Sequence, residues 1–167
     1  GNLKACGMVL GNESVDFVKL PVGAAPLDQA PTLLNNEPDL RGGEAVTIQG
    51  LPWVAGTDPM ILQGFTRQAD RSYITSPEYL ALYYAALARL GYDHVGILVT
   101  GLPCDQYDGP DSKMIRQRLG ERLKGEHRIS PTRTVKVDRV FVMAQPMGTY
   151  ASVFHDQATL DDGQTVL

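Results

Sequence analysis

Residues 76–100 constrain the fold more than any other stretch of the chain. Ser76 precedes Pro77, a pair suited to opening a helix. The serine side chain takes up an orphan N–H of the first turn, and the N–H that proline lacks would have had no partner there. Leu80, Tyr83, Tyr84, Leu87 and Leu90 then recur at helical spacing, and Gly91 supplies the stop. Next comes His94 to Thr100, HVGILVT, nearly all apolar and of strand length. Such a run predicts a strand covered on both faces, as in the middle of an α/β sheet. A helix running straight into a buried strand confines the chain to a layered α/β architecture.

The flanking segments extend that pattern. Leu3 to Leu10 and Ser14 to Leu20 are short apolar runs separated by the turn dipeptide Gly11-Asn12, which predicts a hairpin. Pro21 to Gly43 carries Pro21, Pro26, Pro31, Pro38 and Gly42-Gly43, and reads as loop with a short helical turn near Leu33-Leu34. Ala45 to Gln49 and Trp53 to Ala55 form a second strand pair around Gly50-Leu51-Pro52. A second helix is expected from Asp111 to Lys124, with Ile115, Leu119 and Leu123 inward and Lys113, Arg116, Arg118 and Arg122 outward. Thr134 to Met143 predicts a long strand, a further helix starts near Pro146, and Gln164 to Leu167 opens another strand. The fold class is therefore α/β, a mixed β-sheet with flanking helices. Both ends fall inside an element, so residues 1–167 read as a single lobe truncated at both ends.

Composition limits the function. Fifteen Lys and Arg against nineteen Asp and Glu give a net charge of −4, which excludes a generally basic nucleic-acid coat. No run reaches the roughly 18–20 apolar residues of a membrane span, so no membrane partner is expected and the location is cytoplasmic. Cys6 and Cys104 are far apart and fit two free thiols. His94, His127 and His155 are scattered without nearby partners, so no metal site is expected. Cys104 reads as a partly buried thiol beneath a loop, and the basic face of the second helix as either solvated surface or contact with phosphate or a partner subunit.

Three stretches together resemble the first half of the bacterial actin-like ATPases of the plasmid-segregation (ParM-like) type. They are Gly1-Asn2-Leu3-Lys4, then VGILVTGLP over 95–103 followed by Tyr107, then VFVMAQPMGTY over 140–150. Residues 45–57 are similar to that family's hairpin of form v-t-i-x-G-x-x-w-x-v-G. The resemblance implies an actin-like (ribonuclease H-like) N-terminal subdomain. In that family the first phosphate-contacting hairpin has the form D-x-G-x-G-N-x-K, of which only the second half stands here. It implies nucleotide contacts at Gly1, Asn2, Leu3 and Lys4, where glycine lets backbone N–H groups approach phosphate and lysine adds a point charge. On residue type alone, Lys4 also fits an ordinary exposed lysine at a strand edge.

Gln145 falls at the strand-to-helix junction that faces the γ-phosphate in the family, and the resemblance gives it the catalytic role. A neutral amide orients water but is no strong base. On residue type alone, Gln145 also fits an ordinary helix start ahead of Pro146. The family's second phosphate loop, its adenosine segment and the acidic residues tied to magnesium have no counterpart in this sequence. ATP and Mg²⁺ are thus expected as cofactors of an intact protein, with this chain alone inactive. The resemblance further implies self-association into filaments and a link to plasmid DNA through an adaptor protein, not direct nucleic-acid contact. A competing reading is a non-catalytic interaction or scaffold domain of the same fold, working through the Lys113 to Arg122 face.

Overall fold

The helix expected after Ser76 forms as its sequence dictates. α1 (Pro77–Leu90) has Ser76 as N-cap, its Oγ accepting from the Tyr79 N–H at 3.1 Å, and it ends on Gly91 at φ 81° with the Gly91 N–H donating to the Leu87 carbonyl. The computed structural model describes residues 2–12, 14–63 and 72–147. These divide into one unit of Gly1–Val95 with Glu126–Lys136 and another of Gly96–Gly125 with Val137–Leu167.

In the first unit β1 (Asn2–Met8) and β2 (Val15–Pro21) pair antiparallel as the expected hairpin, with Leu3 opposite Leu20, Lys4 opposite Lys19 and Gly7 opposite Asp16. β3 (Gly23–Pro26), β4 (Glu44–Ile48) and β5 (Leu51–Thr57) make an antiparallel sheet in the order β3-β5-β4. β5 is buried on both faces. Trp53 and Ala55 join a core with Val18, Leu20, Ile48, Leu82 and Leu87, while Val54 joins Ala25, Ala30 and Leu62 on the other side. The proline-rich segment is thus not only loop: it contributes β3 and packs Leu27 and Leu40 over that second face. Gly-Ala-Ala-Pro has no strand propensity of its own, so β3 owes its form to β5.

β6 (His94–Leu102), β7 (Gly125–Ser130) and β8 (Arg133–Ala144) form the third sheet, in the order β6-β8-β7. β7 was not anticipated, because its inward positions are His127 and Ile129 and its others are polar. In the first unit the His127 Nδ1 lies in a buried hydrogen bond of 3.2 Å with the Tyr84 hydroxyl, and Tyr83 meets the imidazole edge-on. A polar ring at a core position hides the alternation that marks a strand.

The second unit contains α2 (Cys104–Tyr107) and α3 (Ser112–Leu123). Leu119 and Leu123 are buried as the stripe predicts. Two expectations fail here. Ile97 and Val99 are 51% and 58% exposed, so among the described residues β6 is not covered on both faces. An apolar run reads the same whether one face is covered or two. Cys104 is exposed, as is Cys6, and both are free thiols. Gln145 to Met147 are helical, in keeping with a helix starting near Pro146. Its continuation, His155 and the strand at 164–167 lie outside the described residues.

Candidate functional site

The β1–β2 hairpin presents two unlike faces because side chains alternate along a strand. Leu3 and Ala5 turn toward the core with Val18 and Leu20. Asn2, Lys4, Cys6 and Met8 turn outward, opposite Pro21, Lys19, Phe17 and Val15. No carboxylate stands in these eight positions. Lys4 and Lys19 are directly opposed, both exposed, and neither has an ion-pair partner among the described residues. β1 pairs only with β2, so its other edge carries no strand ladder among the described residues. Backbone groups along such an edge are open to a ligand. Gly1 lies outside the described residues.

Tyr92 holds this hairpin from behind. Its ring occupies the place where a Cβ on Gly7 would stand, and its hydroxyl donates to the carboxylate of Asp16, the cross-strand partner of Gly7. The hydrogen bond to Asp16 pushes the Tyr92 phenol above its ordinary pKa, with burial adding to it. Arg133 fixes the loop that carries Tyr92. Its Nε donates to Asp93 Oδ1 at 3.0 Å, and its terminal nitrogens donate to the carbonyls of Ala88 at 3.0 Å and Tyr92 at 3.2 Å. A cation on the last carbonyls of α1 also complements the helix dipole.

In the second unit Gln145 follows the last residue of β8 and is exposed. A Cβ built on Gly101, near the end of β6, would stand 2.8 Å from Gln145 Cγ and 3.3 Å from its Cα. Two sequence motifs, TGLP and AQP, therefore meet in space at Gly101 and Gln145. The amide has no hydrogen-bond partner among the described residues. Asn2, Leu3 and Lys4 are thus gathered on one strand of the first unit, and Gln145 with Gly101 in the second.

The second unit also holds an open groove of about 520 Å³ lined by Arg116, Lys124, Arg139, Glu121 and Phe141. The Arg116 guanidinium lies 4.5 Å from the centre of the Tyr107 ring, and Gln117 donates to Glu121 at 2.8 Å. Lys113 and Arg118 on α3 are exposed. Among the described residues no three His, Cys, Asp or Glu side chains gather as metal ligands. No described helix is long and apolar enough to cross a membrane.

Lys19, Tyr92 and the pairing of Gly101 with Gln145 were not singled out from the sequence. Lys19 had a signal, since a hairpin centred on Gly11-Asn12 pairs positions equidistant from the turn. Tyr92 had none, its role being set by the docking of the hairpin on the loop after α1.

Residues 1–148 match the family described as "Actin like proteins N terminal domain". The chain belongs to the actin-like proteins. Its α/β architecture, with sheets and flanking helices, is that of an actin-like N-terminal region. Among solved structures it is similar to the apo psk41 parM protein, at 17% identity and a TM-score of 0.51 over 89% of this chain and 50% of that one. It also matches the actin-like protein Alp7A, at 14% identity and a TM-score of 0.44 over 78% of this chain and 40% of that one. The chain therefore spans half or less of these solved relatives. No curated protein matches its sequence. The resemblance to actin-like proteins stands at the level of family, and that to the parM protein at the level of fold.

Proposed function

We propose that this actin-like chain is the N-terminal part of an ATP-binding protein that forms filaments in the cytoplasm and serves plasmid segregation. The observation that supports it best is the outward face of the β1–β2 hairpin, where, among the described residues, Asn2 to Lys4 combine an unladdered strand edge with an ammonium group lacking a carboxylate partner. That combination suits phosphate, because backbone N–H groups donate along the edge and lysine supplies a point charge.

Bound ATP would supply the phosphoanhydride that is cleaved. Lys4 would offset charge on the phosphate oxygens, and Gln145 would hold a water by accepting and donating hydrogen bonds. Catalysis of this kind is positional and slow. Magnesium finds no ligands on the hairpin's outward face, which has no carboxylate, so no step through the metal is assigned to these residues. Contact with DNA would run through an adaptor protein, in keeping with the net charge of −4.

Right-angle light scattering of the full-length gene product tests the reading, with Mg-ATP set against Mg-ADP and no nucleotide. A rise with ATP that decays as phosphate is released is the expected result. No rise at any concentration, with no phosphate released, overturns it. The groove beside α3, lined by Arg116, Lys124 and Arg139, favours a second reading, a scaffold domain that binds a partner without nucleotide.

A further inference from the structure

We infer that Lys19 is a second phosphate ligand, acting with Lys4 to grip a polyphosphate on the outward face of the β1–β2 hairpin. The inference rests on the proposed nucleotide reading of that hairpin and adds a residue from its other strand. Lys4 and Lys19 are register partners, their side chains share a face, and neither has an ion-pair partner among the described residues.

Like charges placed directly opposite each other weaken a strand pair. Among the described residues no carboxylate on this face relieves the pair: the neighbouring outward positions are Asn2, Pro21, Cys6 and Phe17. An anion between the two ammonium groups would turn the repulsion into attraction. Two point charges about 5 Å apart at their Cβ atoms fit a ligand with several charged oxygen groups in a row. A diphosphate or triphosphate meets that requirement, and a nucleoside without phosphate does not. Lys19 would then add discrimination for polyphosphate over monophosphate, which Lys4 alone supplies less well.

The test compares the full-length protein with its Lys19→Gln, Lys4→Gln, doubly substituted and Lys19→Arg variants. Melting temperature without ligand is measured beside the dissociation constants for ATP, AMP and inorganic tripolyphosphate. Lys19→Gln is expected to melt no lower than the parent, since a repulsion is removed, yet to bind ATP and tripolyphosphate about tenfold more weakly. AMP affinity should change less, and the fall in ATP affinity with added salt should become shallower. Lys19→Arg should keep affinity near the parent.

If Lys19→Gln binds ATP like the parent while Lys4→Gln does not, Lys19 is plain surface and the inference fails, with the hairpin reading intact. Should ATP bind but neither lysine matter, both the inference and the hairpin site fail. A parent that binds neither ATP nor tripolyphosphate overturns the proposed function as well. The ligand-free melting curve separates all of these from misfolding.

Discussion

Gln145 packs against the space that Gly101 leaves empty, with a distance of 2.8 Å from Gln145 Cγ to where a Cβ on Gly101 would be. The glycine of β6 thereby sets where the exposed amide at the end of β8 stands. Gly101→Ala must push that residue aside. Under the proposed function, phosphate release by the full-length protein should fall about tenfold or more in Gly101→Ala, as it should in Gln145→Ala. ATP affinity should change little in either. Single-turnover phosphate release beside equilibrium nucleotide binding makes the comparison, and unchanged release in Gly101→Ala would show that this packing does not matter.

The second contact of this kind lies between Gly7 and Tyr92. Because the ring occupies the Cβ position of Gly7, Gly7→Ala should destabilise the fold by about 1–3 kcal/mol through overpacking. Adding Tyr92→Ala clears the clash, so the double variant should lose less than the two single losses combined. Denaturant melts of the four proteins measure that coupling, and strict additivity would refute the contact.

Thr57 lies fully buried at the end of β5, and its Oγ1 has no hydrogen-bond partner among the described residues. A buried hydroxyl without a partner keeps its desolvation cost and gains nothing in return. Thr57→Val preserves shape and removes the hydroxyl. It should be neutral or raise stability by about 1 kcal/mol, read from the midpoint of urea unfolding. A marked loss would mean the hydroxyl has a partner after all.

Alkaline pH should unfold the first unit through its tyrosines. Burial pushes Tyr83 well up and Tyr73 up, with Tyr84 and Tyr79 adding to the two shifts respectively. In the unfolded chain these phenols ionise near pH 10, at about the value of a free tyrosine. The native state keeps protons that the unfolded chain gives up. Their stabilising contribution is therefore complete below about pH 10 and declines as pH climbs through the native pKa values. Tyr83→Phe should flatten that decline, measured as unfolding free energy between about pH 9 and 11.

Much of the fold was legible where local chemistry acts alone. Ser76, Pro77 and Gly91 mark the ends of α1 because caps work within one turn, and Gly11-Asn12 marks the first hairpin for the same reason. Missed elements draw their form from elsewhere. Gly23 to Pro26 becomes a strand only beside β5, and Glu126 to Ile129 conceals its period behind the buried imidazole of His127. The candidate site divides in the same way. Lys4 and Gln145 could be named from short motifs, whereas Lys19, Tyr92 and Gly101 acquire roles from register and packing, which no linear stretch records.

The far end of the β1–β2 hairpin has a practical consequence. Met8, Val9, Leu10, Val15 and Phe17 are all exposed there, on a two-stranded ribbon. Such a tip acts as a sticker between molecules whatever the melting temperature of the body beneath it. Shelf life should then follow concentration more than heat: dilute stocks stay clear, crowded ones cloud, and a charge placed at Leu10 keeps them clear.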